Sequence, residues 1–284
     1  FPYDYMYPEQ YSYMLELKRA LDAKGSALLE MPTGTGKTVC LISLITSYQY
    51  AHPDVGKLIY CTRTVPEMVK CMEEIKNVIK YRSTLAGIES GRVLAVCLSS
   101  RRNMCIHPNV MQEGDRDTVD SLCRNMTASW VRNRVNSISS SNGTNNNNNN
   151  NNEENPLLCQ FYENFEKQGN DADIPLGVYD LDELKELGKS RGWCPYFLTR
   201  RAINRANIIV YNYQYMLDPK VSNLVSRELE QESIVVFDEA HNIDNVCIEA
   251  LSVTIDKRAL SNSSRSIGRL QSKVAEMKAS NSQR

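Results

Sequence analysis

The sequence predicts an α/β fold with a parallel sheet, and three observations carry that prediction. Short apolar runs rich in β-branched residues recur along the chain, segments of helical apolar spacing separate them, and a glycine-rich turn stands ahead of one such segment. The apolar runs are continuous rather than alternating, which suits strands covered on both faces by helices. Taken in order, Ala27–Met31 is an apolar run ending in Pro32 and glycines and reads as the first strand, and Thr38–Tyr50 reads as a buried helix. Lys57–Thr64 (KLIYCTRT) is a strand. Val65–Lys80 follows with apolar residues at 65, 68, 69, 72, 75 and 79, a helical spacing, and Thr64 with Glu67 forms a capping box at its start. Arg92–Leu98, Ala206–Tyr211 and Ser233–Phe237 are three more β-rich runs.

Between Ser99 and about Leu198 strand-like runs vanish and four cysteines appear, so this stretch reads as a smaller module inserted into the α/β lobe. Residues 136–155 (NSISSSNGTNNNNNNNNEEN) have no apolar face to bury and are expected to be a disordered loop. The predicted division is 1–98 and 199–245 for the two parts of the lobe, 99–198 for the inserted module, and 246–284 for the start of a further, incomplete domain.

The composition is ordinary for a globular chain: 284 residues, 42% hydrophobic and 24% charged. Thirty-three Lys plus Arg against thirty-four Asp plus Glu leave a formal charge of −1, which excludes a uniformly basic nucleic-acid coat but not a local basic groove. No apolar run is long enough to span a membrane, and no secretory signal opens the chain. It opens on Phe1 and closes in a polar tail, and is expected to be a fragment. Its nine cysteines are an odd number in a chain without a signal, so a reducing compartment is expected, with structural thiols or metal ligands.

Residues 30–38 read EMPTGTGKT. In the loop Met31, Pro32, Thr33, Gly34, Thr35, Gly36, the two glycines allow a tight turn whose N–H groups can surround phosphate oxygens. Lys37 can reach the β- and γ-phosphates of ATP, the Thr38 hydroxyl can ligate Mg²⁺, and the following helix points its N-terminus at the anion. Met31 departs from the full phosphate-loop pattern, which has Gly there. Far downstream, Ser233–Phe237 runs into Asp238-Glu239-Ala240-His241. A strand-terminal Asp can hold Mg²⁺, and the adjacent Glu239 can orient or deprotonate water.

Asp238-Glu-Ala-His241 is the DEAH signature of superfamily 2 helicases. With YPEQ (7–10), EMPTGTGKT (30–38), LIYCTRTVPE (58–67), RRNMCIHP (101–108), GWCPYFL (192–198), ANIIVYNYQYMLDP (206–219) and VVFDEAHNIDNVC (235–247), the chain resembles the xeroderma pigmentosum group D, or Rad3-type, iron–sulfur DNA helicases. That resemblance implies a RecA-like phosphate-loop lobe interrupted by a mostly helical 4Fe–4S module. It implies that Gln10 reads adenine, that Lys37, Thr38, Asp238 and Glu239 serve ATP and Mg²⁺, and that His241 couples hydrolysis to DNA. Arg63 falls in the motif that touches the single strand's backbone. The family implies 5′ to 3′ unwinding of single-stranded or forked DNA in the nucleus, without a membrane. Its setting is transcription factor IIH, with that factor's other subunits and its kinase-activating subcomplex, in nucleotide excision repair and transcription initiation.

Cys105, Cys123, Cys159 and Cys194 fit no short C-x-x-C metal motif, and from spacing alone they read as small core residues. Zinc, with His107 as a substitute ligand, is the chemical alternative. The resemblance instead matches these four to 4Fe–4S ligands, and leaves Cys40, Cys61, Cys71, Cys97 and Cys247 as structural thiols. Near them, Arg191, Arg200, Arg201 and Arg205 interleave with Trp193, Tyr196 and Phe197, while Arg101 and Arg102 precede the first cysteine. Guanidinium groups for phosphate and rings for stacking suit a single-strand channel, and a solvated helix face over core aromatics fits the same residues. Competing functional readings are another kind of phosphate-loop ATPase, a paralogous iron–sulfur helicase, and a scaffold or damage sensor without turnover. With no second lobe after Arg284, the chain alone is expected to bind ATP weakly and hydrolyse it poorly.

Overall fold

The structure, a computed structural model, describes residues 1–32, 34–87, 91–112, 114–141, 158–222, 232–253, 255 and 257–281. Helix α1 (Pro8–Asp22) leads to α2 (Lys37–Ala51), and β1 (Leu58–Thr62) to α3 (Val65–Ala86). Strand β2 (Leu94–Leu98) precedes a helical stretch made of α4 (Arg101–Met104), α5 (Pro108–Met111), α6 (Arg116–Thr127), α7 (Ser129–Ser141) and α8 (Gln160–Gln168). The chain then forms β3 (Gly177–Tyr179), α9 (Leu181–Arg191), α10 (Pro195–Ala202), β4 (Ile208–Asn212), α11 (Gln214–Leu217) and α12 (Pro219–Ser222). It ends in β5 (Ile234–Phe237), α13 (Ile243–Leu251) and α14 (Lys257–Asn281).

The five strands form one sheet in the order β3-β2-β4-β1-β5, and every pair is parallel. Strands β1 and β2 are buried at every residue and β4 at all but its last. This explains their continuous apolar sequences: with helices on both faces, neither face tolerates polar alternation. The capping box ahead of α3 forms as expected, with Glu67 N donating to Thr64 Oγ1 at 3.4 Å and Thr64 N to Glu67 Oε2 at 3.0 Å. Lys57 Nζ donates to the carbonyls of Ile203 at 2.9 Å and Asn204 at 2.8 Å, tying the end of α10 to the foot of β1.

Three expectations need correction. Ala27–Met31 is not a strand, and Leu28 is 93% exposed. An apolar run becomes a strand only when a ladder partner lies alongside, and this one has none among the described residues. The stretch 99–198 is not free of strands, because β3 lies within it and pairs with β2 from Leu94↔Gly177 to Val96↔Tyr179. A three-residue strand is too short to leave a periodic signal. The loop expected from residue 136 starts later, since α7 continues through Ser141; elongation adds one hydrogen bond per residue once a helix is nucleated. The rest of that expected loop, 142–155, lies outside the described residues. Among the described residues no helix is long and apolar enough to cross a membrane.

Strand position sets the cost of truncating a side chain. Ile209 sits fully buried on the central strand β4, whereas Val235 on the edge strand β5 is 38% exposed. Ile209→Ala should lower unfolding stability by about 2–5 kcal/mol and Val235→Ala by less than about 1 kcal/mol, compared by urea denaturation.

Candidate nucleotide site and thiol module

The glycine-rich loop turns as its sequence requires. Gly34 and Gly36 have φ of 78° and 79°, left-handed backbone that glycine adopts without strain, and Gly36 caps the N-terminus of α2. A β-carbon on Gly36 would meet Gln10 Nε2 at 2.8 Å, so any larger residue would displace the Gln10 amide from its place against the loop. Gln10 is buried and held at both ends of its amide. Its Nε2 donates to the Thr35 carbonyl at 2.8 Å, and its Oε1 accepts from Tyr7 N at 2.9 Å. Thr35 Oγ1 donates to the Pro32 carbonyl at 2.6 Å. Met31, at the position where the full pattern has Gly, is buried, and its carbonyl accepts from Lys37 Nζ at 3.2 Å. Thr33 lies outside the described residues.

Parallel pairing of β1 with β5 brings the second motif to the same place. Asp238 N donates to the Cys61 carbonyl at 3.0 Å, continuing the ladder one residue past β5. Beyond it, Glu239 Oε1 lies 3.1 Å from Lys37 Nζ. Burial holds the Asp238 carboxyl above its ordinary range, and the nearby Tyr60 hydroxyl opposes that shift. Tyr60 is fully buried, and its hydroxyl has no aligned hydrogen-bond partner although Thr38 and Asp238 both lie within its electrostatic reach. The two side chains therefore share one neighbourhood, and a hydroxyl with a carboxylate is the hard oxygen donor set that Mg²⁺ takes. Tyr213 Oη donates to the Asp238 carbonyl. Tyr13, its phenol pushed up to about 12 mainly by burial, also senses Asp238.

Glu239 itself has φ of 54°, left-handed backbone in a non-glycine residue, and caps a one-turn helix over Ala240–Asn242. His241 Nδ1 lies 3.4 Å from Glu239 Oε2. Asn242 Nδ2 lies 2.9 Å from His241 Nε2 and donates to the Glu239 carbonyl at 3.2 Å. Asn242 Oδ1 accepts from Arg63 Nη1 at 3.3 Å, and Arg63 also approaches Glu67 Oε1 at 3.6 Å. Sequence reading missed Tyr60, Tyr213 and Asn242. Tyr60 and Tyr213 flank their motifs as ordinary core aromatics, and Asn242 directly follows the DEAH box with no spacing rule to single it out.

Three of the four cysteines stand at helix ends. Cys105 closes α4, Cys159 caps the N-terminus of α8 and Cys194 that of α10, while Cys123 lies within α6. Cys159 N donates to the Met126 carbonyl at 3.3 Å and Cys194 N to the Phe161 carbonyl at 3.0 Å, so backbone bonds fix both turns. All four are free thiols, with the Cys159 thiol pushed up to about 11 and the Cys194 thiol to about 12 by burial. Cys105, Cys159 and Cys194 each sense at least one other of the set electrostatically, whereas the Cys123 thiol is pushed up by burial and opposed by Arg101. Among the described residues no three His, Cys, Asp or Glu side chains converge on a single metal ion. His107 N donates to Cys105 Sγ at 3.4 Å, and burial keeps its imidazole below the usual value.

The expected nucleic-acid residues divide into two groups. Arg63, Arg102 and Arg191 are exposed, the last lying 5.1 Å from the Trp193 ring. Arg101 is partly buried between Asp120 at 3.5 Å and the Tyr196 ring at 4.6 Å, and Arg200 lies over the same ring at 5.8 Å. Arg201 lies over Phe165 at 4.0 Å and near Glu166 at 3.9 Å. Tyr196 is buried, so its ring serves these arginines and presents no open stacking face.

A glycine loop at a helix N-terminus, beside a strand-terminal carboxylate at one edge of a parallel sheet, is the arrangement of a RecA-like phosphate-loop lobe. The chain belongs to the DEAD_2 family, whose profile matches residues 60–260. It is 52% identical over 285 residues to the "General transcription and DNA repair factor IIH helicase subunit XPD" of Arabidopsis thaliana, covering 100% of this chain and 36% of that protein. It is 49% identical over 278 residues to the subunit of the same name in Dictyostelium discoideum, covering 98% of this chain and 33% of that one. The chain thus spans about a third of the length of these relatives, at 36% and 33%. A solved structure named "XPD_Helicase" shares the fold, with a TM-score of 0.50 and 16% identity over 86% of this chain and 34% of its own.

Gly36→Ala would place a methyl group in the Gln10 contact and force left-handed backbone on alanine, at a cost of about 1–2 kcal/mol. Affinity for a fluorescent ATP analogue should fall about tenfold or more, measured by titration.

Proposed function

We propose that the chain is the nucleotide-binding part of an ATP-dependent 5′–3′ DNA helicase that works within transcription factor IIH in the nucleus, serving nucleotide excision repair and transcription initiation. Its partners are single-stranded or forked DNA and the other subunits of that factor, including its kinase-activating subcomplex. The observation that carries this reading is the meeting of Lys37 and Glu239, 3.1 Å apart, from opposite ends of the chain. It joins the phosphate loop to the DEAH box in a family whose relatives carry helicase names.

Each residue then has a task. Gly34, Thr35 and Gly36 present main-chain N–H groups to phosphate oxygens. Lys37 exchanges Glu239 for the β- and γ-phosphates, which frees Glu239 to orient the attacking water. Thr38 and Asp238 hold Mg²⁺, which when bound neutralises charge on the phosphates. Gln10 retains one amide N–H and one carbonyl lone pair for adenine while its other N–H grips the loop at Thr35 and its carbonyl holds Tyr7 at the start of α1. Lobe segments 1–98 and 199–245 carry this site, the inserted module 99–198 returns to their sheet as β3, and 246–284 opens a further domain. In such motors a second lobe supplies the arginines that act on the γ-phosphate, worth about 10³–10⁵ in rate.

Cys105, Cys123, Cys159 and Cys194 hold a 4Fe–4S cluster. Cys105 closes one helix while Cys159 and Cys194 cap two others, and Cys₄ thiolate ligation suits such a cluster, as the family resemblance implies. Arg63, Arg102 and Arg191 contact phosphates, and Arg101, Arg200 and Tyr196 brace the module beside the thiols.

Purified without oxygen, the chain should contain iron with acid-labile sulfide, and Cys105→Ser should lose both; zinc without sulfide would overturn the cluster assignment. In the full-length protein, Lys37→Arg should lower DNA-stimulated ATP turnover by about 10²–10³-fold and abolish strand separation. Unwinding that survives this substitution would refute the motor reading.

A further inference from the structure

Arg63, Asn242, His241 and Glu239 form one connected set of polar contacts between the end of β1 and the nucleotide site. Asn242 is its centre, with Oδ1 accepting from Arg63 Nη1 at 3.3 Å and Nδ2 donating to the Glu239 carbonyl at 3.2 Å. Only one orientation of the amide serves both partners, because guanidinium offers only donors and a carbonyl only accepts. The same orientation determines the histidine tautomer. Asn242 Nδ2 also lies 2.9 Å from His241 Nε2, which must therefore accept, leaving the proton on Nδ1, 3.4 Å from Glu239 Oε2. One side-chain amide thus touches the candidate DNA-backbone residue, the main chain of Glu239 and the ring that faces the Glu239 carboxylate. That carboxylate is in turn paired with Lys37 at 3.1 Å.

We propose that Asn242 is a positioning residue that links occupancy of Arg63 by a nucleic-acid phosphate to the setting of Glu239 in the nucleotide site. The proposal rests on the helicase reading above and extends it to how the same site is regulated. Arg63 is exposed and its partners in this state are Asn242 and Glu67. A phosphate offers the guanidinium a bidentate, charge-assisted pair that outcompetes the neutral Asn242 amide, and Glu67, 3.6 Å away in the same i,i+4 turn, can stay beside it. Withdrawal of Arg63 leaves Oδ1 without its donor and frees the amide to turn. A turned amide takes Nδ2 away from the Glu239 carbonyl and from His241. The left-handed Glu239, at φ 54°, is sensitive to that loss, because a non-glycine residue holds such a conformation only while its surroundings maintain it.

The test uses the full-length protein and reads two quantities: the ratio of ATP turnover with and without an oligo-dT single strand, and the dissociation constant of that strand by fluorescence anisotropy. Asn242→Ala removes both arms. Asn242→Asp keeps an acceptor for Arg63 and removes the donor to Glu239 and His241. The expected result is a ratio at least about fivefold lower in both variants, the lower range of ordinary allosteric coupling, with strand affinity within about twofold of wild type. A ratio equal to wild type in either variant overturns the proposal. So does a drop in both turnovers by the same factor, which marks a merely structural residue. A loss of strand affinity in Asn242→Ala that Asn242→Asp restores also overturns it, since Asn242 would then serve only to aim Arg63. Wild-type protein whose turnover does not respond to the strand would instead refute the helicase reading, before either variant is considered.

Discussion

Parallel pairing of β1 between β4 and β5 is the constraint on which the rest of the molecule depends. In a parallel sheet all strands end on the same side, so the residues that follow them crowd together there. Arg63 follows β1, Tyr213 follows β4 and Asp238 follows β5. The phosphate loop reaches this edge through α2, whose packing against the sheet buries Val39, Cys40 and Ile42. Shifting β5 by one residue would exchange its faces and carry Asp238 and Glu239 away from Lys37.

Two kinds of interaction then act at that edge. Buried phenols flank Asp238: the Tyr60 hydroxyl lies near its carboxyl without an aligned bond, and the Tyr213 hydroxyl bonds its main-chain carbonyl. Polar groups in contact with solvent line the rim: exposed Arg63 and His241, and half-buried Asn242. The first group is part of the close-packed core and resists displacement. The second consists of hydrogen bonds in contact with water, individually worth little and therefore easily exchanged for a ligand. A rigid carboxylate platform beside an exchangeable polar rim suits a site that must bind one ligand firmly and respond to another.

The thiol module is joined to this lobe at defined points. Lys57 ties the end of α10, whose first residue follows Cys194, to the foot of β1. Lys76 of α3 pairs with Asp180 at 2.5 Å and Glu183 at 2.7 Å at the start of α9. Because β3 completes one edge of the sheet, the stretch 99–198 is woven into the lobe and is not merely appended to it. The module is therefore a mechanical neighbour of the sheet.

What the sequence determined by itself was whatever is written in consecutive residues. The glycines at 34 and 36, the capping box of Thr64 and Glu67, and the continuous apolar strands are local, because backbone dihedrals, end groups and two-faced burial act within a few residues. The phosphate loop and the DEAH box were legible for the same reason, each being a short string, whereas the spacing of the four cysteines fitted no short motif. Only the tertiary structure decided what depends on a partner remote in sequence. Ala27–Met31 lost its strand for want of a neighbour, and Gly177–Tyr179 gained one from β2. Tyr196, expected as a stacking ring, was enclosed by Arg101 and Arg200, and an unremarked asparagine came to stand between Arg63 and Glu239. Side-chain partnership across the fold is a property of register and packing, and no window of neighbouring residues contains it.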